Sequence, residues 1–275
     1  MFSLLAPPKE TSLEKLGLAV DGKTILITGA TYGIGEATAL YLARAGAKVV
    51  LLARTKSKLE ALQKTISTMA FIYPIDLSQL EAVKILMAQI QLEHPRIDIL
   101  ICNAGKSIRR RMTHSLEHND LERLIALNFS SPSSLILALL PQMLEQGGAQ
   151  IINVSTISAR LTGIPMWAAY QSSKAGFDLW LRSLGNELRP QKILVSSLYM
   201  PLVRTRMSSA KQFANAPALS PLEAAQVIAY AIVHQPSRVA PWWLRLLELT
   251  TVLLENPTNW ILTALFKWST RQGND

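Results

Sequence analysis

Cysteine and clustered histidine are nearly absent from this chain of 275 residues. Cys102 is the single cysteine, which excludes an intramolecular disulfide and is compatible with a reducing compartment. Because its neighbours in the run IDILIC are apolar, we expect a buried core thiol there. The four histidines are scattered, and no group of histidine, cysteine and carboxylate residues has the spacing of metal ligands. The sequence therefore predicts no metal site.

The chain also lacks an uninterrupted apolar run long enough to cross a bilayer, which takes about 20 residues. The first ten residues, MFSLLAPPKE, contain no basic stretch, and Pro7-Pro8 interrupts their apolar patch, so they do not resemble a secretory signal. The apolar segment 241–268 is interrupted by Arg245, Glu248 and Asn256-Pro257. We therefore expect a cytoplasmic protein that reaches the inner face of the membrane only peripherally.

Acidic residues are scarce relative to basic ones. There are 19 aspartates and glutamates against 28 lysines and arginines, which gives a net charge of +9. A basic balance fits nucleic acid, anionic lipid or acidic small molecules as partners. The one dense run, Arg109-Arg110-Arg111, lacks interleaved aromatic residues and belongs to no nucleic-acid motif. We therefore predict no nucleic-acid partner and interpret the run as a solvated loop.

Strand-like and helix-like segments alternate along a chain that has enough apolar residues, 49%, to build a core. We expect strands near residues 24–28, 48–53, 70–73, 97–102, 150–155 and 192–199. Long helices are expected near residues 120–145 and 167–188. Alternation of this kind predicts an α/β fold, a doubly wound parallel sheet with helices on both faces.

A glycine-rich turn follows the first predicted strand. Residues 24–28 form a short apolar run that is typical of a buried parallel strand, and Gly29, Gly33 and Gly35 come after it. The next segment, 36–45, has helical composition. Such a turn lets backbone N–H groups approach a pyrophosphate at the N-terminus of a helix. The spacing G-x-x-x-G-x-G differs from the commonest dinucleotide fingerprint, and a simple tight turn is the alternative.

The second predicted strand, 48–53, ends at Arg54, and no carboxylate occurs between residues 48 and 58. An acidic residue at this position would bind the ribose 2′-hydroxyl of NAD, whereas an arginine suits the 2′-phosphate of NADP. Lys56 and Lys58 make the same corner more basic. The residues therefore favour NADP(H), with an ordinary charged loop edge as the alternative.

Tyr170 and Lys174 are one helical turn apart in the run WAAYQSSK. Residues four apart share a helix face, so the ammonium can lie close to the phenol. A nearby cation favours the phenolate and lowers a tyrosine pKa that is otherwise about 10. A phenol tuned in this way can donate or accept a proton near neutral pH. The pair is therefore a candidate acid–base site.

These motifs together resemble the short-chain dehydrogenase/reductase family, and the resemblance covers nearly the whole chain. TGATYGIG (28–35) resembles the family's glycine motif, Asp76-Leu77 its adenine contact, and Asn103-Ala104-Gly105 its NAG turn. Asn128 resembles the asparagine of the family's proton relay, and Tyr170 with Lys174 its catalytic pair.

The resemblance implies a single-domain Rossmann fold. It also implies that NADP(H) is held by Gly29, Thr31, Gly33, Ile34, Gly35, Arg54, Asp76, Leu77, Asn103, Ala104, Gly105, Tyr170, Lys174, Pro201, Val203 and Thr205.

The catalytic hydroxyl departs from the family pattern. The family's serine lies 13 residues before the tyrosine, where this chain has Ile157. Aligned from the strand IINVST, Thr156 takes the catalytic place with one residue inserted before Tyr170, and Ser155 and Ser158 are the neighbouring hydroxyls. A threonine hydroxyl can also donate to a developing oxyanion. Thr156 is therefore the first candidate and Ser155 the second.

A second departure lies after the sixth predicted strand, where the family's Pro-Gly is Pro201-Leu202. Leucine restricts the backbone near the expected nicotinamide position more than glycine would. The resemblance still places Thr205 of the segment PLVRT near the cofactor.

Three segments outside the shared catalytic motifs carry a narrower resemblance. Residues 103–112, 199–207 and 219–240 are similar to the bacterial fatty acyl-CoA reductases of this superfamily. That resemblance implies reduction of a long-chain acyl thioester, carried by CoA or acyl carrier protein, to an aldehyde with NADPH. For Arg109–Arg111 the resemblance adds an alternative to the solvated loop, contact with the phosphates of CoA or with an acidic acyl carrier protein. A 3-oxoacyl or hydroxysteroid-type ketone reductase is the alternative enzyme, and a non-catalytic cofactor-binding scaffold or regulator is the alternative of another class.

The chain divides into a predicted reductase domain, residues 1–240, and an apolar helical extension, residues 241–275. Two short helices joined at Asn256-Pro257 fit the extension. In the first, an apolar face and a narrow polar stripe are expected, formed by Trp242, Leu246, Leu249 and Leu253 and by Arg245, Glu248 and Glu255. Three roles stay open: a lid over the substrate cleft, a dimer face of the homo-oligomer that we expect, or a membrane-interface element at residues 242–268.

Overall fold

One parallel sheet of seven strands organises the part of the chain that the computed structural model describes, residues 6–208 and 215–271, with side chains described to residue 268. The strand order is β3-β2-β1-β4-β5-β6-β7. The strands are β1 (Thr24–Thr28), β2 (Lys48–Ala53), β3 (Ala70–Pro74), β4 (Ile99–Cys102), β5 (Ala149–Thr156), β6 (Ile193–Met200) and β7 (Arg238–Val239).

Helices alternate with the strands and cover both faces of the sheet. They are α1 (Leu13–Val20), α2 (Gly33–Arg44), α3 (Lys56–Thr65), α4 (Leu80–Glu93), α5 (Met112–Ser115), α6 (Asp120–Ile125), α7 (Ser131–Glu145), α8 (Ala168–Leu188), α9 (Pro221–His234), α10 (Trp243–Leu253) and α11 (Glu255–Arg271). Successive residues of a strand point to opposite faces. In β1, Ile25 and Ile27 therefore pack with α1, α2 and α9, whereas Leu26 packs with the layer of α4, α7 and α8. The predicted doubly wound Rossmann fold is confirmed.

Four of the differences between the predicted and the observed elements have local reasons. Helix α2 begins at Gly33 rather than at residue 36, because the last two glycines of the turn already belong to it. Strand β4 begins at Ile99 rather than 97, since Asp98 pairs its carboxylate with the backbone N–H of Thr24 at 2.9 Å. Strand β6 begins after Lys192, whose φ of 61° is not extended. The two residues of β7 were not predicted, because so short a strand has no detectable periodicity.

The predicted helix near 120–145 is continuous but is widened by a π-helical turn, Ala126–Ser130, between α6 and α7. Among the described residues, this segment is the one that is long and apolar enough to cross a membrane by length and composition alone. Its side chains Leu135, Leu139 and Met143 are fully buried in the core, so we assign it as a core helix. Single π-helical turns inside α-helices are frequent at functional sites, and this one contains Asn128.

The two C-terminal helices meet at Leu254 and not at Asn256-Pro257 as predicted. Pro257 lies in the first turn of α11, where backbone N–H groups have no partner within the helix and proline is tolerated. The predicted polar stripe of α10 is also wrong for Glu248. Its side chain faces the protein, with Oε1 at 2.7 Å from Arg160 Nε and 3.0 Å from Arg238 Nη2.

Candidate active site

The predicted site residues lie at the carboxyl edge of the sheet, around the place where the strand order reverses. Strands β1 and β4 are neighbours there, although β2 and β3 separate them in sequence. The glycine turn follows β1 and Asn103-Ala104-Gly105 follows β4. In open α/β sheets, ligands bind in the crevice formed at this switch point.

Hydrogen bonds fasten the glycine turn to the turn after β4. The Thr28 hydroxyl accepts bonds from the backbone N–H groups of Asn103 and Ala104, both at 3.0 Å. The Asn103 amide donates to the carbonyl oxygen of Thr28 at 2.9 Å. Gly29 has a φ of 68°, and a Cβ there would lie 2.9 Å from the Cα of Ala104. This close approach requires glycine, and it makes Asn103 and Ala104 part of the wall of the crevice.

The start of α2 has the properties of a pyrophosphate cradle. Its N-cap residue, Tyr32, makes no side-chain cap bond, so the first N–H groups of the helix are available to an anion. Gly33 has a φ of 55°, and a Cβ there would lie 2.8 Å from Thr205 Cγ2. Tyr32, Gly33 and Thr205 line an open groove of about 640 Å³. The dinucleotide implied by the sequence therefore fits this end of the crevice.

The remaining predicted cofactor residues border the same edge. Arg54 follows β2, is exposed, and lies close enough to Asp76 to favour its charged form. Burial would raise the pKa of Asp76, but hydrogen bonds from Ser78 and the charge of Arg54 leave it below its usual value. The other members are buried or half-buried beside these turns: Thr31, Ile34, Leu77, Gly105, Pro201 and Val203.

Tyr170 is half-buried in the first turn of α8, opposite the end of β5. Burial raises the pKa of its phenol, and a hydrogen bond from the Thr156 hydroxyl opposes this by lowering it. The expectation of a depressed Tyr170 pKa is wrong for this structure, because burial raises it and the group that opposes this is Thr156 rather than Lys174. A phenol with a raised pKa keeps its proton at neutral pH, and this state suits a proton donor.

Thr156 and Ser155 occupy different environments at the end of β5. The Thr156 hydroxyl lies 3.2 Å from Ser158 Oγ and accepts a bond from the backbone N–H of Ser158 at 3.3 Å. Ser155 is buried, and its hydroxyl is among the described side-chain atoms without a hydrogen-bond partner. The contact with Tyr170 therefore favours Thr156 as the oxyanion donor.

Lys174 and Asn128 meet around Gly105. A Cβ on Gly105 would lie 3.1 Å from Asn128 Oδ1 and 3.3 Å from Lys174 Nζ. Lys174 is buried and donates to the carbonyl oxygen of Val154 at 3.2 Å, and burial lowers its pKa to about 8. The Asn128 amide bonds both backbone groups of Lys106 at 2.9 Å and also Ser173 Oγ. Asn128 therefore fixes the loop after β4 against the helix that carries Tyr170.

Gln171 is a positioning residue that the sequence did not reveal. It is buried beside Tyr170, and its Nε2 donates to the carbonyl oxygens of Ser158, Leu161 and Thr162 at 2.7, 3.1 and 2.8 Å. Its Oε1 accepts from the backbone N–H of Ile164 at 2.9 Å. One side chain thus fixes the loop after β5 to α8. A glutamine next to a candidate tyrosine gives no sequence signal for such a role.

The arginine run is not the solvated loop that the sequence suggested. Arg110 Nη1 lies 3.1 Å from the carboxylate of buried Asp120, which supplies the cation that a buried carboxylate requires. The guanidinium of Arg111 lies 5.7 Å from the ring centre of Phe266 on α11. The run therefore connects the loop after β4 to α6, through Asp120, and to α11, through Phe266.

A family model described as short chain dehydrogenase matches residues 23–215. The chain belongs to this family. It is therefore an oxidoreductase, and the resemblance inferred from its motifs is confirmed.

Two curated relatives of this short-chain dehydrogenase are fatty acyl-CoA reductases. One, from Acinetobacter baylyi, is 41% identical over 252 residues, with 90% of this chain and 85% of the relative covered. The other, from Mycobacterium tuberculosis, is 40% identical over 225 residues, with 80% and 76% covered. Among solved structures, a metagenomic short-chain oxidoreductase in complex with NADP is 31% identical, has a TM-score of 0.69, and covers 78% of this chain and 92% of its own.

The environment of the two hydroxyls predicts different effects of their removal from this dehydrogenase. Thr156→Val removes the hydroxyl that bonds Tyr170, so we expect kcat to fall about 100- to 1000-fold, as for loss of one oxyanion donor. Thr156→Ser should retain most of the activity. Ser155→Ala is the matched control and should change kcat by less than about tenfold. Steady-state kinetics on folded variants measure this, and a crippled Ser155→Ala with a mild Thr156→Val would refute the assignment.

Proposed function

We propose that this chain is an NADPH-dependent reductase that converts a long-chain acyl thioester into the aldehyde. The hydrogen bond between Thr156, at the end of β5, and Tyr170 carries the proposal that the chain is catalytic. Lys174 lies one turn after Tyr170 on α8. The substrate class is supported by the fatty acyl-CoA reductases among its relatives and by their extensive coverage of the chain. A cofactor-binding scaffold would not need to retain these groups together.

The charges at the adenosine end of the crevice support NADP(H) over NAD(H). No carboxylate follows β2 up to Lys58, and Arg54 is exposed at its end. Burial is the first cause of the lowered pKa of Lys106, and the charges of Arg123 and Arg54 lower it further, so these neighbouring cations give the edge a local excess of positive charge. A phosphate relieves such an excess. The NADP bound by the metagenomic relative agrees with this choice.

The residues act on the substrate carbonyl in defined roles. When bound, NADPH supplies a hydride to the carbonyl carbon. Tyr170 donates its proton to the carbonyl oxygen as negative charge develops there, and the Thr156 hydroxyl hydrogen-bonds the same oxygen. Lys174 carries positive charge below its pKa of about 8 and holds a proton close to the tyrosine.

Substrate chemistry then distinguishes a thioester from a ketone. The hemithioacetal formed from a thioester breaks its C–S bond. The departing thiolate takes up the proton of the hemithioacetal hydroxyl, so the products are an aldehyde and a free thiol. A ketone has no leaving group and stops at the alcohol. Asn128 and Gln171 position the two loops that border the reacting carbonyl.

The extension 241–275 is proposed as the lid of the acyl site. Glu248 on α10 pairs with Arg160, and Asn259 on α11 accepts from the Thr162 hydroxyl at 3.3 Å. Arg111 contacts Phe266. The two helices therefore rest on the loops after β4 and β5, which border the substrate side of the crevice.

We further propose a cytoplasmic protein that receives its acyl group from CoA or acyl carrier protein. Arg109, which is half-buried at the same loop, would contact the phosphates of the carrier. A homo-oligomer remains a proposal.

A substrate panel tests the proposed reaction. Purified protein would be given NADPH with a long-chain acyl-CoA, the same acyl group on acyl carrier protein, the fatty aldehyde, a 3-oxoacyl thioester or a steroid ketone. We expect NADPH oxidation with the acyl thioesters and release of one thiol for each NADPH. Tyr170→Phe is the control and should bind NADPH without turnover.

Each other outcome of the panel is decisive. Oxidation without thiol release, on ketones alone, would identify a ketone reductase. Tight NADPH binding with no turnover on any member would support the scaffold.

Arg54 tests the cofactor assignment. A charge-assisted hydrogen bond contributes about 1.5–3 kcal/mol, so Arg54→Ala should raise the Kd of NADPH about 10- to 150-fold. The Kd of NADH should hardly change, because NADH lacks the 2′-phosphate. Lys64→Ala, exposed at the far end of α3, is the matched control. Fluorescence titration with both cofactors provides the measurement, and equal weakening of NADPH and NADH would overturn the assignment.

A further inference from the structure

Helix α10 is amphipathic, but its polar side faces the protein and its apolar side is exposed. Its inner face carries Leu244, Glu248 and Thr251, spaced along one side of the helix. Glu248 is 17% exposed and pairs with Arg160 and Arg238. Burial would raise the pKa of Glu248, but the bonds and charges of the two arginines leave it lowered, so it stays ionised. Buried Leu244 and this ion-paired carboxylate, rather than the leucine-rich side of the helix, attach α10 to the protein.

The outer faces of α10 and α11 are apolar. Their large side chains have exposed fractions between 50% and 78%: Trp242, Leu246, Leu249, Val252, Leu253, Leu254, Trp260, Ile261, Leu265 and Trp268. Single exposed leucines are ordinary on a protein surface, but a contiguous apolar patch of this kind indicates an interaction site. We call this set the outer apolar face.

The charges around the outer apolar face are mainly positive. Arg245 and Lys267 are exposed on the two helices, and Glu255 is their exposed acidic residue. The negative charge of Glu248 is neutralised by two arginines. In the described part of the extension the exposed cations therefore outnumber the exposed carboxylates. We call Arg245 and Lys267 the positive rim, on a chain whose net charge is +9.

We propose that the outer apolar face docks on the surface of an anionic lipid bilayer, with α10 and α11 lying in the plane of the interface. Leucines enter the acyl boundary, the tryptophans lie at headgroup level, and the cationic rim attracts anionic headgroups. Over the residues that the structure describes, up to 271, neither helix is long enough and apolar enough to span the bilayer. A second copy of this chain fits less well, because a two-fold contact would bring one positive rim against another.

Docking in this orientation would place the lid helices, and the loop after β5 beneath them, next to the lipid phase. An acyl chain could then pass between the bilayer and the crevice without crossing water. This benefit rests on the proposed function, but the docking itself does not. The test therefore uses vesicles without substrate.

Vesicle sedimentation with the full chain tests the docking. The probes are vesicles of phosphatidylcholine alone and vesicles with equal parts of phosphatidylglycerol and phosphatidylcholine. We expect binding to the anionic vesicles and a blue shift of tryptophan emission. The double variant Leu249→Glu/Leu253→Glu should weaken partitioning at least about tenfold, since it places two charges on the inserting face. Far-UV circular dichroism and NADPH titration check that the variant is folded.

A matched variant makes the result specific. Leu18→Glu/Leu92→Glu places the same charges on α1 and α4, at leucines that are 82% and 86% exposed, and should bind the vesicles as the parent does. Absence of parent binding, or equal loss in both double variants, would overturn the proposal. A parent dimer that becomes monomeric with Leu249→Glu/Leu253→Glu, without lipid binding, would assign the face to a second copy. Acyl-CoA reduction without vesicle binding would contradict the docking and leave the proposed function in place.

Discussion

A buried ammonium is the feature on which the rest of the site depends. Lys174 is shielded from water at the edge of the sheet, where the Val154 carbonyl is its hydrogen-bond acceptor and Gly105 and Asn128 border it. Desolvation of a charge is costly, and this cost appears as its lowered pKa. The same desolvation acts in the opposite direction on Tyr170, whose neutral form it favours. The same burial therefore keeps the phenol protonated and lowers the pKa of the lysine towards neutral pH.

The loop after β5 links this chemistry to the C-terminal helices. Gln171 fixes the loop from the side of α8, and Arg160 at its start bonds Glu248 of α10. Arg160 also lies near Asp178, whose carboxylate accepts from the Tyr199 hydroxyl. A displacement of α10 would therefore be transmitted to the residues that follow Thr156. In this account the extension shapes the substrate side of the crevice as well as covering it.

The sequence predicted the fold, and it grouped the candidate site residues at one edge of the sheet, because both inferences follow from local patterns. Glycine spacing, the (i, i+4) pair and strand alternation place Gly29, Asn103 and Tyr170 at one sheet edge without knowledge of packing. The direction of the Tyr170 pKa was wrong, because burial depends on what packs over the phenol. Glu248 was predicted as part of a polar stripe, but its burial against two arginines was not, because periodicity shows which residues share a face and not which face meets the protein. The partners of Arg110 and Gln171 are distant backbone or acidic groups that no local pattern indicates.

The burial of Lys174 is tested most directly by the pH dependence of stability in cofactor-free protein. Its pKa is lowered from 10.5 to about 8, so between these values the unfolded state binds more protons and stability should rise with pH. Below pH 8 Lys174 is charged in the folded protein, and the full cost of desolvating this charge is present. Because methionine carries no charge, Lys174→Met should raise the free energy of unfolding there by about 1–3 kcal/mol. This gain should shrink as pH rises to 10.5, whereas exposed Lys64→Met should show no such trend. Urea unfolding across this range measures both, and a Lys174→Met difference independent of pH would contradict the account.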